Sequence, residues 1–337
     1  MNKRIGSVSI CDMNLVVLFA LASAALAAKD PATTVLNEWP MIMVHDAATS
    51  YLEGGALHQI NDWAKTQVDG GAQGELNCGA RAFDWRPSLG NDGTVKMHHG
   101  SVNIDHAMAD SLDEMVRWAA ANGTAAQDLV VLGITACTGT GCADAVRKLL
   151  DARNITYITD CSELKGLTVA AAHDKAALPG GGAILATFDC WVENYDSSVA
   201  CSGFGGKYLG DLPPPRAQAG VASTSATYTC YTDSDTRDFP VQRMKSYIKK
   251  VVAGGAPSDG QLYTVQALWQ ESAASVTVGE LHGSNLLEDE SRSALNSMVA
   301  SMIQNATELP DVSQLNMIEV NNVCDGGAHL LSVLRAI

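Results

Sequence analysis

Short apolar runs alternate with helix-like stretches along nearly the whole chain, and no other feature constrains the fold as much. Strand candidates lie at 39–44 (WPMIMV), 80–85 (ARAFDW), 128–135 (DLVVLGIT), 167–172, 183–187, 261–268 and 316–320, with a shorter one at 94–97. Between them, 56–67, 108–121, 143–153, 239–252, 290–304 and 328–337 read as helices. In 108–121 the apolar positions Met108, Leu112, Met115, Val116 and Ala119 fall on one helical face. Strands joined by helical crossovers pair in parallel with right-handed connections. About seven or eight such units over a chain of 337 residues give an α/β fold, an irregular TIM-type (β/α) barrel. A hydrophobic content of 47% against 18% charged supplies ample core for it. Residues 191–237 interrupt the rhythm. They are rich in Gly, Ser, Thr, Asp and Pro, and read as a disulfide-containing excursion over one end of the barrel.

The first 27 residues read as a secretory signal. Lys3 and Arg4 form a basic start, 15–26 (LVVLFALASAAL) is apolar but short for a membrane span, and Ala25-Leu26-Ala27 offers small residues for cleavage. Residues 28–337 are then a single secreted domain. The nine cysteines include Cys11 in the signal; the others are an even set, which suits disulfides in an oxidising compartment. Cys137 with Cys142, and Cys190 with Cys201, are expected as local pairs. Asn122, Asn154 and Asn305 open glycosylation sequons. With 22 basic against 37 acidic side chains and a net charge of -15, a nucleic-acid partner is not expected, and neither is strong docking on anionic lipid. One Arg in a pocket can still hold one phosphate.

Three places carry chemistry. Val44-His45-Asp46 ends one strand, Phe83-Asp84-Trp85-Arg86 ends the next, and His98-His99-Gly100 follows a short third. In a barrel, strand ends share one mouth. Two imidazoles can serve as base and acid near neutral pH. A guanidinium can hold two phosphate oxygens, and Asp46 and Asp84 can orient an imidazole or the Arg. This set suits phosphodiester cleavage without a metal or other cofactor. Trp191, Trp269, Asp189 and Tyr195 are candidates for the substrate pocket. A lone His-Asp or His-His-Gly is usually incidental, and Gly180-Gly181-Gly182 is a turn rather than a phosphate loop, since no G-K-[ST] follows. His173-Asp174 reads as a surface turn.

The string H-D-A-A-T-S from His45, C-G-A-R-A-F-D-W-R-P through Arg86, H-H-G ending at Gly100, and the strand D-L-V-V-L-G-I-T resemble the X-domain of phosphatidylinositol-specific phospholipase C in its bacterial, metal-independent form. The resemblance covers about 90 residues. It implies that His45 is the general base for an internal hydroxyl, and that Asp46 and His99 are a composite acid. Arg86 would stabilise the phosphate and Asp84 would fix Arg86. It implies a phospholipid or other phosphodiester substrate, transient contact with a membrane surface, and no calcium. Where the family carries an Asp behind the base histidine, this chain carries Asn321, which can orient an imidazole but brings no charge. Two other readings follow from the same barrel. One is a secreted binding protein that has lost turnover; the other is a glycerophosphodiester phosphodiesterase, which would need an acidic metal cluster.

Overall fold

The computed structural model describes residues 28–52, 63–193, 234–269 and 285–337, apart from 306, 310 and 311. Eleven strands and eight α-helices are found among them. The strands are β1 (Met41–Val44), β2 (Ala82–Trp85), β3 (Pro87–Leu89), β4 (Val95–His99), β5 (Val102–Ala107) and β6 (Val130–Ile134). They continue as β7 (Thr156–Ile158), β8 (Ile184–Phe188), β9 (Trp191–Glu193), β10 (Leu262–Gln266) and β11 (Met317–Val320). The helices are α1 (Gly71–Asn77), α2 (Met108–Asn122), α3 (Cys142–Asp151), α4 (Val169–Lys175), α5 (Ser234–Gly254), α6 (Leu286–Ser293), α7 (Leu295–Gln304) and α8 (Gly327–Leu334).

Eight strands form one curled sheet in the order β7-β8-β6-β2-β1-β11-β10-β9. Its pairings are all parallel. Only Asp189 and Cys190 separate β8 from β9, yet β8 pairs with β6 and β7 while β9 pairs with β10 at the far end of the order. One continuous run of chain therefore brings the two ends of the curl together.

Strand alternation sorts the side chains into two cores. Met41, Met43, Ala82, Val131, Leu185, Leu262 and Met317 pack together inside the curl, above Leu36 and Trp39. Their neighbours Ile42, Val44, Phe83, Trp85, Leu132, Ile134, Ile318 and Val320 face outward to the helices, against Leu112, Met115, Val146, Val299 and Leu330. Each such side chain contributes about 1.5–3 kcal/mol when fully buried. Two residues beyond Met43, Ala82 and Met317, the same inward face carries His45, Asp84 and Glu319. The apolar plug thus ends in a polar floor.

Several sequence expectations are corrected. Residues 167–172 are not a strand: the Thr168 side chain accepts the Ala171 N–H as an N-cap, and α4 begins there. The expected helix at 290–304 is two helices, broken at Ala294, whose φ is +50°. β4 is not a barrel strand. It lies in a separate antiparallel sheet, β3-β4-β5, because Asn91-Asp92-Gly93 makes a tight hairpin turn and Gly100, with φ +56°, makes the next. Within the excursion expected at 191–237, 191–193 is strand and α5 starts at Ser234; residues 194–233 lie outside the described residues, as do Cys201, Cys230 and most of the helix expected at 56–67.

Cys190 bonds to Cys161, not Cys201; the other disulfides among the described residues are Cys137–Cys142 and Cys78–Cys324. Cys161 follows β7 and Cys190 opens into β9, so this bond pins the place where the ends of the curl meet. Cys78–Cys324 ties the end of α1 to the loop after β11 across a sequence separation of 246, against 5 for Cys137–Cys142. Loop-closure entropy then predicts unequal costs on removal. Cys78→Ser/Cys324→Ser should lose about 3–5 kcal/mol in chemical denaturation, and Cys137→Ser/Cys142→Ser distinctly less.

Candidate active site

His45 follows β1 directly, and its N–H donates to the Val320 carbonyl at 3.1 Å, which continues the β1–β11 ladder. In an extended strand the next side chain would point to the opposite face. Asp46 instead has φ +44° and ψ +47°, a left-handed conformation that an aspartate tolerates better than most residues. This turn brings the His45 and Asp46 side chains to the same place. It also aims the Asp46 N–H at Asp84 Oδ2, at 3.3 Å. The pocket floor is stapled from behind. Thr66 Oγ1 donates to the His45 carbonyl, Gln67 Nε2 donates to the carbonyls of His45 and Val320, and Gln67 Oε1 accepts the Val323 N–H.

Asp46 is the hub. Its Oδ2 lies 3.1 Å from Nε2 of His45 and 3.1 Å from Nε2 of His99, and its Oδ1 lies 2.9 Å from Nη1 of Arg86. The contact with Arg86 is ionic, and all three are close contacts whose angles depart from those of aligned hydrogen bonds. The two rings stand edge to face with centroids 6.2 Å apart. One phosphate can therefore reach both. Asp84 grips Arg86 with both oxygens, Nη2 at 2.6 Å and Nε at 3.3 Å. Burial by itself would lower the guanidinium's pKa, but the charges of Asp84 and Asp46, with Glu319 further off, outweigh it and hold that pKa well above its ordinary value. Arg86 is a permanent cation here. Asp46 and Asp84 are 1% exposed at the side chain, whereas Arg86 is 20% and His99 24% exposed, so the accessible side of the cluster is the cationic and imidazole side.

The remaining ring nitrogens are also fixed. His99 Nδ1 meets the Ala64 carbonyl at 2.7 Å, which requires a proton on Nδ1. His45 Nδ1 meets Asn321 Oδ1 at 2.9 Å. The amide orientation follows from its other end, where Nδ2 donates to the Trp269 carbonyl and to Glu290 Oε1. His45 therefore also carries its proton on Nδ1, and both Nε2 atoms face one carboxylate oxygen. His98 points elsewhere, its ring nitrogens 3.1 Å from the carbonyls of Gly100 and Ala136.

His45, Asp46 and Asp84 also offer three ligand atoms within 4.8 Å of one another, a geometry compatible with a cation. Arg86 already lies on both carboxylates, and a divalent ion would meet its charge at close range. The donor set therefore fits the guanidinium better than a metal.

Of the expected pocket residues, Trp191 lies inside the curl, packed against the inner core. Its indole covers Gly133, where a Cβ would come within 2.7 Å of the ring. Asp189, with φ +51°, accepts a hydrogen bond from Thr135 Oγ1. Trp269 is 1% exposed, its Nε1 donates to Ser293 Oγ, and it packs in the outer core. Tyr195 lies outside the described residues, and His173 sits on α4. Sequence reasoning missed Thr66, Gln67, Glu290 and Glu319. Glu319 had a signal: it is a charged residue at an inward position of an apolar strand.

No family model matches the chain, and no curated protein matches it significantly. Solved structures do match. A phosphatidylinositol-specific phospholipase C from Staphylococcus aureus is similar over 90% of this chain and 94% of its own, with 13% identity and a TM-score of 0.54. A phosphatidylinositol-specific phospholipase C from Listeria monocytogenes matches over 90% and 94%, with 12% identity and a TM-score of 0.50. The chain has the fold of these bacterial enzymes.

The Gly133–Trp191 contact predicts a size-sensitive pair. Gly133→Ala should displace the indole and cost about 1–3 kcal/mol, as overpacking does. Gly133→Ala/Trp191→Ala should remove the clash with the indole and leave only the tight 3.1 Å approach to the Phe83 carbonyl, so that the two substitutions are non-additive in a thermal or urea double-mutant cycle.

Proposed function

We propose that this chain is a secreted phosphodiesterase of the phospholipase C type that cleaves a phospholipid or similar phosphodiester by internal attack of a neighbouring hydroxyl. The observation that carries the reading is the single carboxylate of Asp46 in contact with two imidazoles and a guanidinium. The fold shared with phosphatidylinositol-specific phospholipases C supports it, as does the partly exposed flank formed by Arg86 and His99.

In this reading the substrate's phosphate lies against Arg86. Two of the five guanidinium N–H bonds are donated to Asp84, and Nη1 lies in ionic contact with Asp46, which leaves N–H bonds on Nη1 and Nη2 for phosphate oxygens. His45 Nε2 takes the proton of the attacking hydroxyl, an O–P bond forms, and the imidazolium is held by Asn321 Oδ1. As the P–O bond to the leaving alcohol breaks, Asp46 with His99 delivers a proton to it. The products are an alcohol and a cyclic phosphodiester, and slow attack of water opens the ring. Holding nucleophile and phosphorus in one molecule supplies proximity that a water attack would lack.

Secretion is supported by the leader-like residues 1–27 and by three disulfides among the described residues. No helix among them is long and apolar enough to cross a membrane. A transient contact with a lipid surface would present the substrate to the mouth. The reading of a barrel without turnover drew on Asn321, and that of a glycerophosphodiester phosphodiesterase on an acidic metal cluster. Arg86, seated on the carboxylates, favours neither.

Assays on phosphatidylinositol, other phospholipids and glycerophosphodiesters, with and without EDTA, test this directly. Activity should survive EDTA, and phosphorus NMR should show a cyclic phosphate before any monoester. Arg86→Ala should lose about 100- to 1000-fold in rate, as removal of one preorganised donor does, with Arg86→Lys recovering only part. His45→Ala and His99→Ala should be at least as damaging. Calcium-dependent activity, or a wild-type rate in Arg86→Ala, would contradict the assignment.

A further inference from the structure

The buried side of His45 leads to a second acidic group. Asn321, 1% exposed, presents Oδ1 to His45 Nδ1 at 2.9 Å. Its Nδ2 donates at 3.0 Å to the Trp269 carbonyl and at 2.8 Å to Oε1 of Glu290. The same Oε1 accepts the Trp269 N–H at 2.7 Å. Glu290 is itself buried, 4% exposed, on α6. A carboxylate on one helix, an amide after the last strand and an imidazole after the first strand thus form one chain of hydrogen bonds.

We propose that Glu290 is a positioning residue for the reaction: through the Asn321 amide it fixes the His45 tautomer and supplies the negative charge that an asparagine behind a base histidine lacks. The proposal rests on the reading of His45 as the general base. An amide alone can rotate by half a turn and offer its NH2 to the imidazole, which would force the proton onto Nε2 and block that atom as a base. Here rotation would set Asn321 Oδ1 against two oxygens, Glu290 Oε1 and the Trp269 carbonyl. Those repulsions hold the productive orientation. The charge acts as well. As His45 gains a proton, Asn321 Oδ1 becomes a stronger acceptor because its own NH2 is donating to a carboxylate. The pair Asn321 and Glu290 then does from two elements what a single acidic residue would do from one. The arrangement also makes an aspartate at 321 incompatible with Glu290, since two carboxylates would stand at the present 2.8 Å contact.

The test uses the full chain and two readouts. The first is the NMR signal of His45 Nδ1–H in protein with nitrogen-15-labelled histidine, assigned with His45→Ala, which reads the ring whether or not substrate is turned over. Wild type should show a downfield, exchange-protected Nδ1–H. Glu290→Gln, which keeps an acceptor but removes the charge, should move it upfield, and Glu290→Ala should lose it to exchange. The second readout is turnover of the phosphodiester found active. Glu290→Gln should lower kcat by about tenfold with KM unchanged, the low end of losses typical of groups behind a catalytic residue. Asn321→Asp alone should also fall below wild type, and Asn321→Asp/Glu290→Gln should recover kcat relative to it. Absence of turnover in wild type would sink the proposed activity and leave the NMR arm to decide the role of Glu290. An unchanged Nδ1–H in Glu290→Gln, or an Asn321→Asp variant as fast as the double variant, would overturn the proposal.

Discussion

The site depends on one carboxylate turned the wrong way for its strand. Asp46 sits two residues after β1 in a left-handed conformation, and without that turn it would face the outer core beside Val44. Turned inward, it contacts the imidazoles of His45 and His99 and the guanidinium of Arg86. A buried anion of this kind is costly unless it is paired, and a partner removed would leave its charge exposed to a low dielectric. The three partners come from three segments of the chain. The first strand, the second strand and the small antiparallel sheet must all be in place before the carboxylate is satisfied, so folding and assembly of the site are coupled.

The barrel frame explains why the cluster sits where it does. Alternation along β1, β2 and β11 places an apolar layer inside the curl and a polar layer two residues above it. Met43 leads to His45, Ala82 to Asp84, and Met317 to Glu319 and then Asn321. The disulfides hold the periphery of this arrangement. Cys161–Cys190 acts where the ends of the sheet meet, and Cys78–Cys324 joins the end of the helix in the first crossover to the loop that follows Asn321.

Much of this was legible in the sequence because the central strands are buried on both faces and read as apolar runs of the right length. β1, β2, β6, β10 and β11 each fall within a run chosen from sequence, and β8 overruns its run by one residue, Phe188. The three-residue strands β3, β7 and β9 are too short to give a period. The mistaken strand at 167–172 arose because alanines and a valine fit either state, and only the Thr168 cap decides for helix. His45, Asp46, Asp84, Arg86 and His99 converge as the strand-end reasoning expected, although His99 arrives on a hairpin sheet rather than a barrel strand. A tryptophan at a strand end fits a pocket wall and a packed core equally well from sequence, and the structure packs Trp269 in the outer core. The partner of Cys190 and the place of Glu290 depend on contacts far apart in sequence, which no local pattern encodes.

The central claim is that Asp46 with His99 donates the proton to the leaving alcohol while Arg86 carries the phosphate charge. The most direct measurement compares wild type and Asp46→Asn on two substrates with the same phosphorylated head group. One has an alkyl leaving group that needs protonation, and the other a 4-nitrophenolate that does not. Loss of a general acid typically costs about 100- to 10,000-fold. The account predicts a loss of that size for the alkyl ester and a far smaller one for the nitrophenyl ester. Equal losses on the two substrates, or no cleavage of either by wild type, would contradict it.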